Sequence, residues 1–323
     1  MELEEYKNFE EKENVYKNRF IKTKDDLDNF LSSAKDMRNK SFRGVSESKY
    51  KIYSSAQREW ITKELYASGI DYKDFIKELA KNTLKLNNGL LNKYLKNIGI
   101  PTKTNDFWVL SFLQHYSAPS PMIDLTGNIY KGIFFCFRNM QYTSSDNEIN
   151  NYVSLYIFDN KLISERFESA IPDLRSSESG TITMQGKRFA DSINLDYLFD
   201  IAKQSGHFVV QLKDFSKLLP IEQNNVKFIS RFQAPNLNII AQDGSLLYYL
   251  DANDPLEVSL KSKSDLKGSI ECVNIHKSLK EYALERYLKK RKINEDTMFP
   301  QEECLASKAY LTFLKHLTIS IVR

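Results

Sequence analysis

The sequence predicts an α+β fold: helical and strand-like stretches are mixed along the chain, they follow no regular β-α-β rhythm, and no internal repeat links them. The 323 residues are enough to bury a sizeable core, as one large domain or two modest ones.

Residues 1–20 are rich in Glu, Lys and Asn, with Leu3, Tyr6, Phe9, Tyr16 and Phe20 spread among them. They predict a solvated helix with a thin apolar stripe, in an N-terminal helical extension over 1–24. Thr23 and Asp26 form a capping box ahead of Leu27, Phe30, Leu31, Ala34 and Met37 at helical spacing, which predicts a helix over 24–38. Residues 41–45 and 51–55 are short and strand-like, and 59–97 read as helical, interrupted at Gly69 and at Asn87-Asn88-Gly89. An amphipathic helix over 106–116 runs into the proline-broken Ala118-Pro119-Ser120-Pro121. Residues 122–125 are apolar like the edge strand of a sheet, and 128–137 form a compact apolar helix. A polar loop over 141–150 precedes an alternating strand over 152–158, whereas 159–190 lack periodicity. Further strands are expected over 207–212, 237–241, 246–250 and 270–275. Leu279, Tyr282, Ala283 and Leu288 then mark a helix and Asn294 to Phe299-Pro300 a turn. Another helix covers 302–317, with 306–323 packed on the domain as its C-terminal helix.

Composition excludes several function classes. With 46 basic and 42 acidic side chains the net charge is +4, too balanced for a general nucleic-acid binder, which would also show steeply salt-dependent affinity. No apolar run reaches the roughly 18 residues that span a bilayer, and the start, Met1-Glu2-Leu3-Glu4-Glu5, does not read as a signal peptide, so the expected location is the cytoplasm and no membrane partner is expected. Cys136, Cys272 and Cys304 are far apart, and His115, His207, His276 and His316 lack metal-site spacing, so no metal centre is expected. Lys289-Lys290-Arg291-Lys292 reads as a solvated helix terminus, where cations meet free carbonyls.

Two short islands concentrate groups that suit a polar, phosphorylated ligand: Phe42-Arg43-Gly44, and Gln114-His115-Tyr116 with Ile123-Asp124-Leu125-Thr126. Arg43 offers planar bidentate donors for phosphate, and Gly44 removes a Cβ from the approach; the plainer reading of Arg43 is a structural salt bridge. Arg58 is a second phosphate donor or a surface ion pair. His115 titrates near neutral pH and can meet a ribose hydroxyl, shuttle a proton, or simply bond a helix-end carbonyl. Asp124 and Thr126 share one face of an extended segment while Leu125 faces the core, and Thr126 can also cap the helix that follows. Ala241-Gln242-Asp243-Gly244 reads as a tight turn between strands, from which Gln242 can project toward a ligand, with Arg231 and Gln233 as upstream donors.

At these residues the chain resembles the FRG-domain family, named for its Phe-Arg-Gly tripeptide. Phe42-Arg43-Gly44, then Arg58, then Phe107-Trp108 through Gln114-His115-Tyr116 and Ile123-Asp124-Leu125-Thr126 match in order. Arg231 through Gln242-Asp243-Gly244 looks like a third block, and Ile293-Asn294 with Met298-Phe299-Pro300 like the closing segment, so the implied domain covers about 25–305. One departure is Pro121, where the second block usually carries an arginine. The order of an arginine strand, a strand-Thr-helix block and a late polar residue is also similar to the layout of ADP-ribosyltransferases. That likeness implies a mixed, mainly antiparallel split sheet flanked by helices, an ADP-ribosyltransferase-like core. It further implies NAD as substrate, with Arg43, Gly44, Arg58, Gln114, Tyr116 and Thr126 binding it and His115, Asp124 and Gln242 catalytic. Gln242 stands where those enzymes place a glutamate, and it brings no charge to a cationic sugar. The implied activity is ADP-ribosyl transfer to a protein or nucleic-acid acceptor, or NAD cleavage, in a bacterial toxin or antiviral defence effector. The alternative is a non-catalytic module that senses a nucleotide or docks a partner.

Overall fold

A computed structural model describes residues 2–37, 39–86, 109–110, 113–114, 118–142, 144–160, 209–211, 237–249, 251–258 and 268–300. Among these the elements run α1 (Phe9–Glu13), β1 (Lys17–Ile21), α2 (Lys24–Ser32), β2 (Lys40–Val45), α3 (Ser55–Thr62), α4 (Tyr72–Leu86), β3 (Met122–Thr126), α5 (Ile129–Arg138), β4 (Tyr152–Asp159), β5 (Val209–Gln211), α6 (Leu237–Gln242), β6 (Gly244–Tyr249), β7 (Ile270–His276), α7 (Lys280–Ala283) and α8 (Glu295–Met298). The class is α+β. The strands form one seven-stranded sheet in the order β1-β7-β4-β2-β3-β6-β5. Only β1 and β7 pair parallel, so the sheet is mixed and mainly antiparallel.

The sheet is weakest where the site will sit. β2 pairs with β4 along six positions, from Lys40↔Asp159 to Val45↔Ser154, but meets β3 only at Phe42↔Thr126. Beyond that pair the backbone ladder between β2 and β3 stops, which leaves a split that side chains must fill.

One face of the sheet packs under α2, α5 and α7, in a core that joins Leu27, Phe42, Ile133, Leu155 and Ile275. Alternation places Phe42 and Gly44 on this face, and the second of these is a contact requirement. A Cβ on Gly44 would lie 2.2 Å from the Gly132 carbonyl oxygen and 2.5 Å from the Cys136 nitrogen, so the glycine lets the α5 backbone lie directly on β2. The gap left by the missing Cβ is filled by the helix, not kept open for a ligand as the sequence suggested.

The opposite face buries Tyr6, Tyr16, Ile52, Tyr156 and Leu247. Here the expected solvated helix over residues 1–20 gives way to a short α1 followed by β1 at the sheet edge. The physical anchor is Lys12, fully buried, whose ammonium donates to the Ser48 carbonyl (2.9 Å), Ser154 Oγ (2.6 Å) and Asn274 Oδ1 (3.1 Å). Three acceptors use all three ammonium donors and tie the N-terminal segment to β4 and β7. Glu257 is buried nearby, and both of its carboxylate oxygens accept from the Ile52 backbone, at 2.9 and 3.1 Å. Burial pushes its pKa above the ordinary 4.5. The folded state therefore holds this proton more tightly than the unfolded chain, and the group's contribution to stability falls as pH rises from 4.5 through the raised folded value. Glu257→Gln removes that fall, so urea unfolding should show the variant gaining on the wild type as pH rises across the window; a difference that stays constant with pH would contradict it.

Other expectations resolve locally. The Thr23–Asp26 capping box is present, and α2 closes at Ser32 into a 3-10 turn over Ser33–Asp36. Residues 51–54 are not a strand; Ser54 instead caps α3. β3 lies inside the sheet between β2 and β6, not at its edge. Residues 237–241, expected as a strand, belong to α6, and the following Asp243 (φ 49°) turns the chain directly into β6. Asn294 opens the short α8 where a turn was expected. Cys136 and Cys272 are buried free thiols. The expected features over 87–108, 161–208, 212–236 and 301–323, including the C-terminal helix, Cys304, Arg231 and Gln233, lie outside the described residues. Among the described residues no helix is long and apolar enough to cross a membrane.

Candidate functional site

The split between β2 and β3 opens into a cleft of about 590 Å³ lined by Arg43, Gly44, Arg58, Gln114, Asp124, Thr126 and Gln242. Seven of the nine candidate residues thus meet in one place; His115 and Tyr116 lie outside the described residues. Strand alternation sets the starting faces, and the split between β2 and β3 lets side chains from both faces meet. Arg43 stands on the face opposite Phe42, where it pairs in register with the buried Tyr156. Asp124 and Thr126 both line the cleft, and Leu125 joins the core with Ile123.

Among the described residues Arg43 makes no ion pair, the plainer reading of a lone arginine. Its Nη1 donates to the backbone carbonyl of Asp124 at 2.9 Å, filling the gap where the β2–β3 ladder stops. Its Nε is buried with no hydrogen-bond partner among the described residues. Burial brings the guanidinium down to about 10, with the Asp124 carboxylate opposing and Arg58 adding to the fall, so it carries its charge at neutral pH. Arg58, at the middle of α3, has no side-chain ion pair among the described residues and is reachable from solvent through the open cleft. The surrounding cleft wall lowers its pKa by desolvation, and Asp124 pulls the other way.

Asp124 is the carboxylate held between these cations. Burial pushes its pKa up, while Arg43, the Gln114 hydrogen bond and Arg58 all work against that rise. Gln114 Nε2 donates to Asp124 Oδ2, and Gln114 Oε1 accepts from Ser55 Oγ at 3.3 Å. Ser55 in turn accepts from the Ser120 backbone at 3.0 Å, so a chain of polar contacts from the start of α3 fixes the carboxylate's orientation.

Two candidates are engaged in structural bonds. The Thr126 hydroxyl donates to the Gln242 carbonyl at 2.6 Å and accepts from the Asn128 backbone at 3.1 Å. It locks the end of α6 beside the start of α5, and the residue that caps α5 is Asn128, not Thr126. Gln242 is the last residue of α6, and its amide donates to the Met298 carbonyl at 3.1 Å. It faces the cleft from a helix end and holds α8 in place.

The FRG domain model matches residues 38–145, which carry β2, β3 and α5. This chain carries an FRG domain. The matched stretch contains every candidate residue except Gln242, and it ends well before position 305, where the resemblance was expected to close. The tripeptide that names the FRG domain supplies the cleft's buried arginine and, through its glycine, the seat of α5. No curated protein and no solved structure matches the chain.

Several lining residues were not foreseen. Phe135, Arg138 and Asn139 lie on one face of α5 at i, i+3 and i+4, and Phe299 follows α8. Arg138 Nε donates to Glu295 at 2.9 Å and its guanidinium lies 3.8 Å over the Phe299 ring, which joins α5 to α8 across the cleft's end. The sequence signal was present in the spacing, but the apolar side of α5 dominates the reading of that helix.

Proposed function

We propose that the cleft binds NAD or a related nucleotide by its diphosphate and cleaves the nicotinamide–ribose bond, passing ADP-ribose to water or to a protein or nucleic-acid acceptor. The observation that carries this reading is the pairing of Arg43, with a buried Nε, and Arg58 around one polar cavity, the Nε without a hydrogen-bond partner and Arg58 without a carboxylate partner among the described residues. Two guanidinium groups that no ion pair among the described residues consumes suit a diphosphate better than any neutral ligand. In the proposed reaction the C1′–N bond breaks with its electron pair leaving on nicotinamide. Asp124, oriented by Gln114, faces the cationic sugar that results, and the incoming nucleophile bonds C1′ and releases its proton to solvent water.

This assignment shifts the catalytic weight to Asp124. Gln242 and Thr126 act as positioning residues, since their polar atoms hold α6, α5 and α8 together. Asp124→Asn is expected to reduce nicotinamide release from labelled NAD by about 100-fold while leaving NAD affinity within a few-fold of the wild type. Equal turnover in the variant would remove Asp124 from the chemistry, and no release from the wild type would leave binding alone. That second reading, a nucleotide-sensing module, is favoured by the engagement of Gln242 with Met298. It predicts a raised melting temperature with nucleotide and no released nicotinamide. An NAD-consuming activity would fit a toxin or antiviral defence effector, for which growth arrest on expression, relieved by Asp124→Asn, is the corresponding sign.

A further inference from the structure

We propose that the end of the cleft formed by Phe135, Arg138, Asn139 and Phe299 is a subsite for a planar heteroaromatic ring, the base of the nucleotide whose diphosphate lies at Arg43 and Arg58; this rests on the reading of the cleft given above. The ring wall adjoins the cationic part of the cleft, since Phe135, Arg138, Asn139 and Phe299 line the same cavity as Arg43 and Arg58. α5 buries Phe134 and Phe137 in the core, whereas Phe135 is only partly covered and turns to the cleft.

The wall is built for stacking. Phe135 and Phe299 meet edge to face, with ring centroids 6.2 Å apart and planes at 84°. Arg138 lies over Phe299 at 3.8 Å and is held there by Glu295, at 2.9 and 3.1 Å from Nε. With one side against Phe299, the exposed guanidinium also lines the cleft, and bases stack on arginine planes as they do on aromatic rings. Asn139 ends the helix at the same wall. It is exposed, and its side-chain amide has no hydrogen bond among the described residues. A free amide offers one donor edge and one acceptor, the pair that reads the edge of a base or a carboxamide.

Titration calorimetry on the full chain with two probes, ADP and inorganic pyrophosphate, separates the ring from the anion. ADP is expected to bind about tenfold or more tighter than pyrophosphate. Phe299→Leu should bring that ratio close to one while pyrophosphate affinity stays unchanged. Phe135→Leu, on the longer α5, should lower the ratio in the same direction and serves if Phe299→Leu unfolds. Equal affinities for the two probes in the wild type, or a ratio untouched by both variants, would overturn the ring subsite while leaving the diphosphate reading standing. If ADP binds, pyrophosphate does not, and the variants weaken ADP, the ring subsite stands and the diphosphate reading falls. If neither probe binds, both fall.

Discussion

Gly44→Ala is expected to cost about 3 kcal/mol or more of folding stability, the upper range for overpacking a well-filled contact. The added methyl would meet backbone atoms of α5 at 2.2, 2.5 and 2.9 Å, and backbone cannot swing aside as the end of a flexible side chain can. Relief requires α5 to lift from β2. Gly132 sets the opposite half of the same contact, since its own Cβ would lie 2.8 Å from Leu155 Cδ1 and 3.0 Å from Phe42 Cβ. The lifted helix would also carry Phe135 and Arg138 away from the cleft, so ligand binding should fall with stability. Urea unfolding measures the first effect, and a variant within about 0.5 kcal/mol of the wild type would show that the helix does not rest on Gly44.

Arg43→Gln is expected to weaken NAD binding on the order of 100-fold, as truncating a desolvated, charged hydrogen-bonding group does at other sites. The cause is loss of a cation that the fold already holds in place. Arg43 is fixed to the Asp124 carbonyl at 2.9 Å, so its remaining donors are pre-set and little rotamer freedom is lost when an anion arrives. The substitution removes the bond across the β2–β3 split, so some stability is lost as well, about 1.5–3 kcal/mol for one hydrogen bond to a charged donor. Calorimetric titration with NAD, alongside a melting curve to show that the variant is folded, separates the two effects. Affinity within threefold of the wild type would exclude Arg43 from the ligand site.

The parts of the fold that were legible in the sequence are those with local chemistry. The capping box at Thr23 and Asp26, the strand carrying Phe42-Arg43-Gly44, and the apolar periodicity of α5 all depend on near neighbours along the chain. β1 was not legible. Lys17, Asn18 and Arg19 carry no strand pattern of their own, and their extended state comes from pairing with β7 some 250 positions away, Lys17↔Glu271 through Ile21↔Ile275. Residues 237–241 failed for the opposite reason. Leu237-Asn238-Ile239-Ile240-Ala241 is apolar and β-branched enough to look like a strand, and at this length periodicity cannot separate strand from helix.

The candidate site was partly legible on the same terms. Residue types identified Arg43, Asp124 and Gln114, but only the folded chain reveals that Gln114 and Ser55 orient Asp124, and that Thr126 and Gln242 are held by structural bonds. Gly44 shows the limit of motif chemistry. A glycine beside an arginine reads as room for a ligand, and the room is taken by a helix.

The central claim, that Arg43 and Arg58 share one diphosphate in the cleft between β2 and β3, is tested most directly by a crystal structure of the protein with NAD. The account predicts diphosphate oxygens within hydrogen-bonding distance of Arg43 Nε and of the Arg58 guanidinium, with a ring of the dinucleotide against Phe135 and Phe299. A dinucleotide bound elsewhere, with Arg43 Nε still unpartnered, would contradict it.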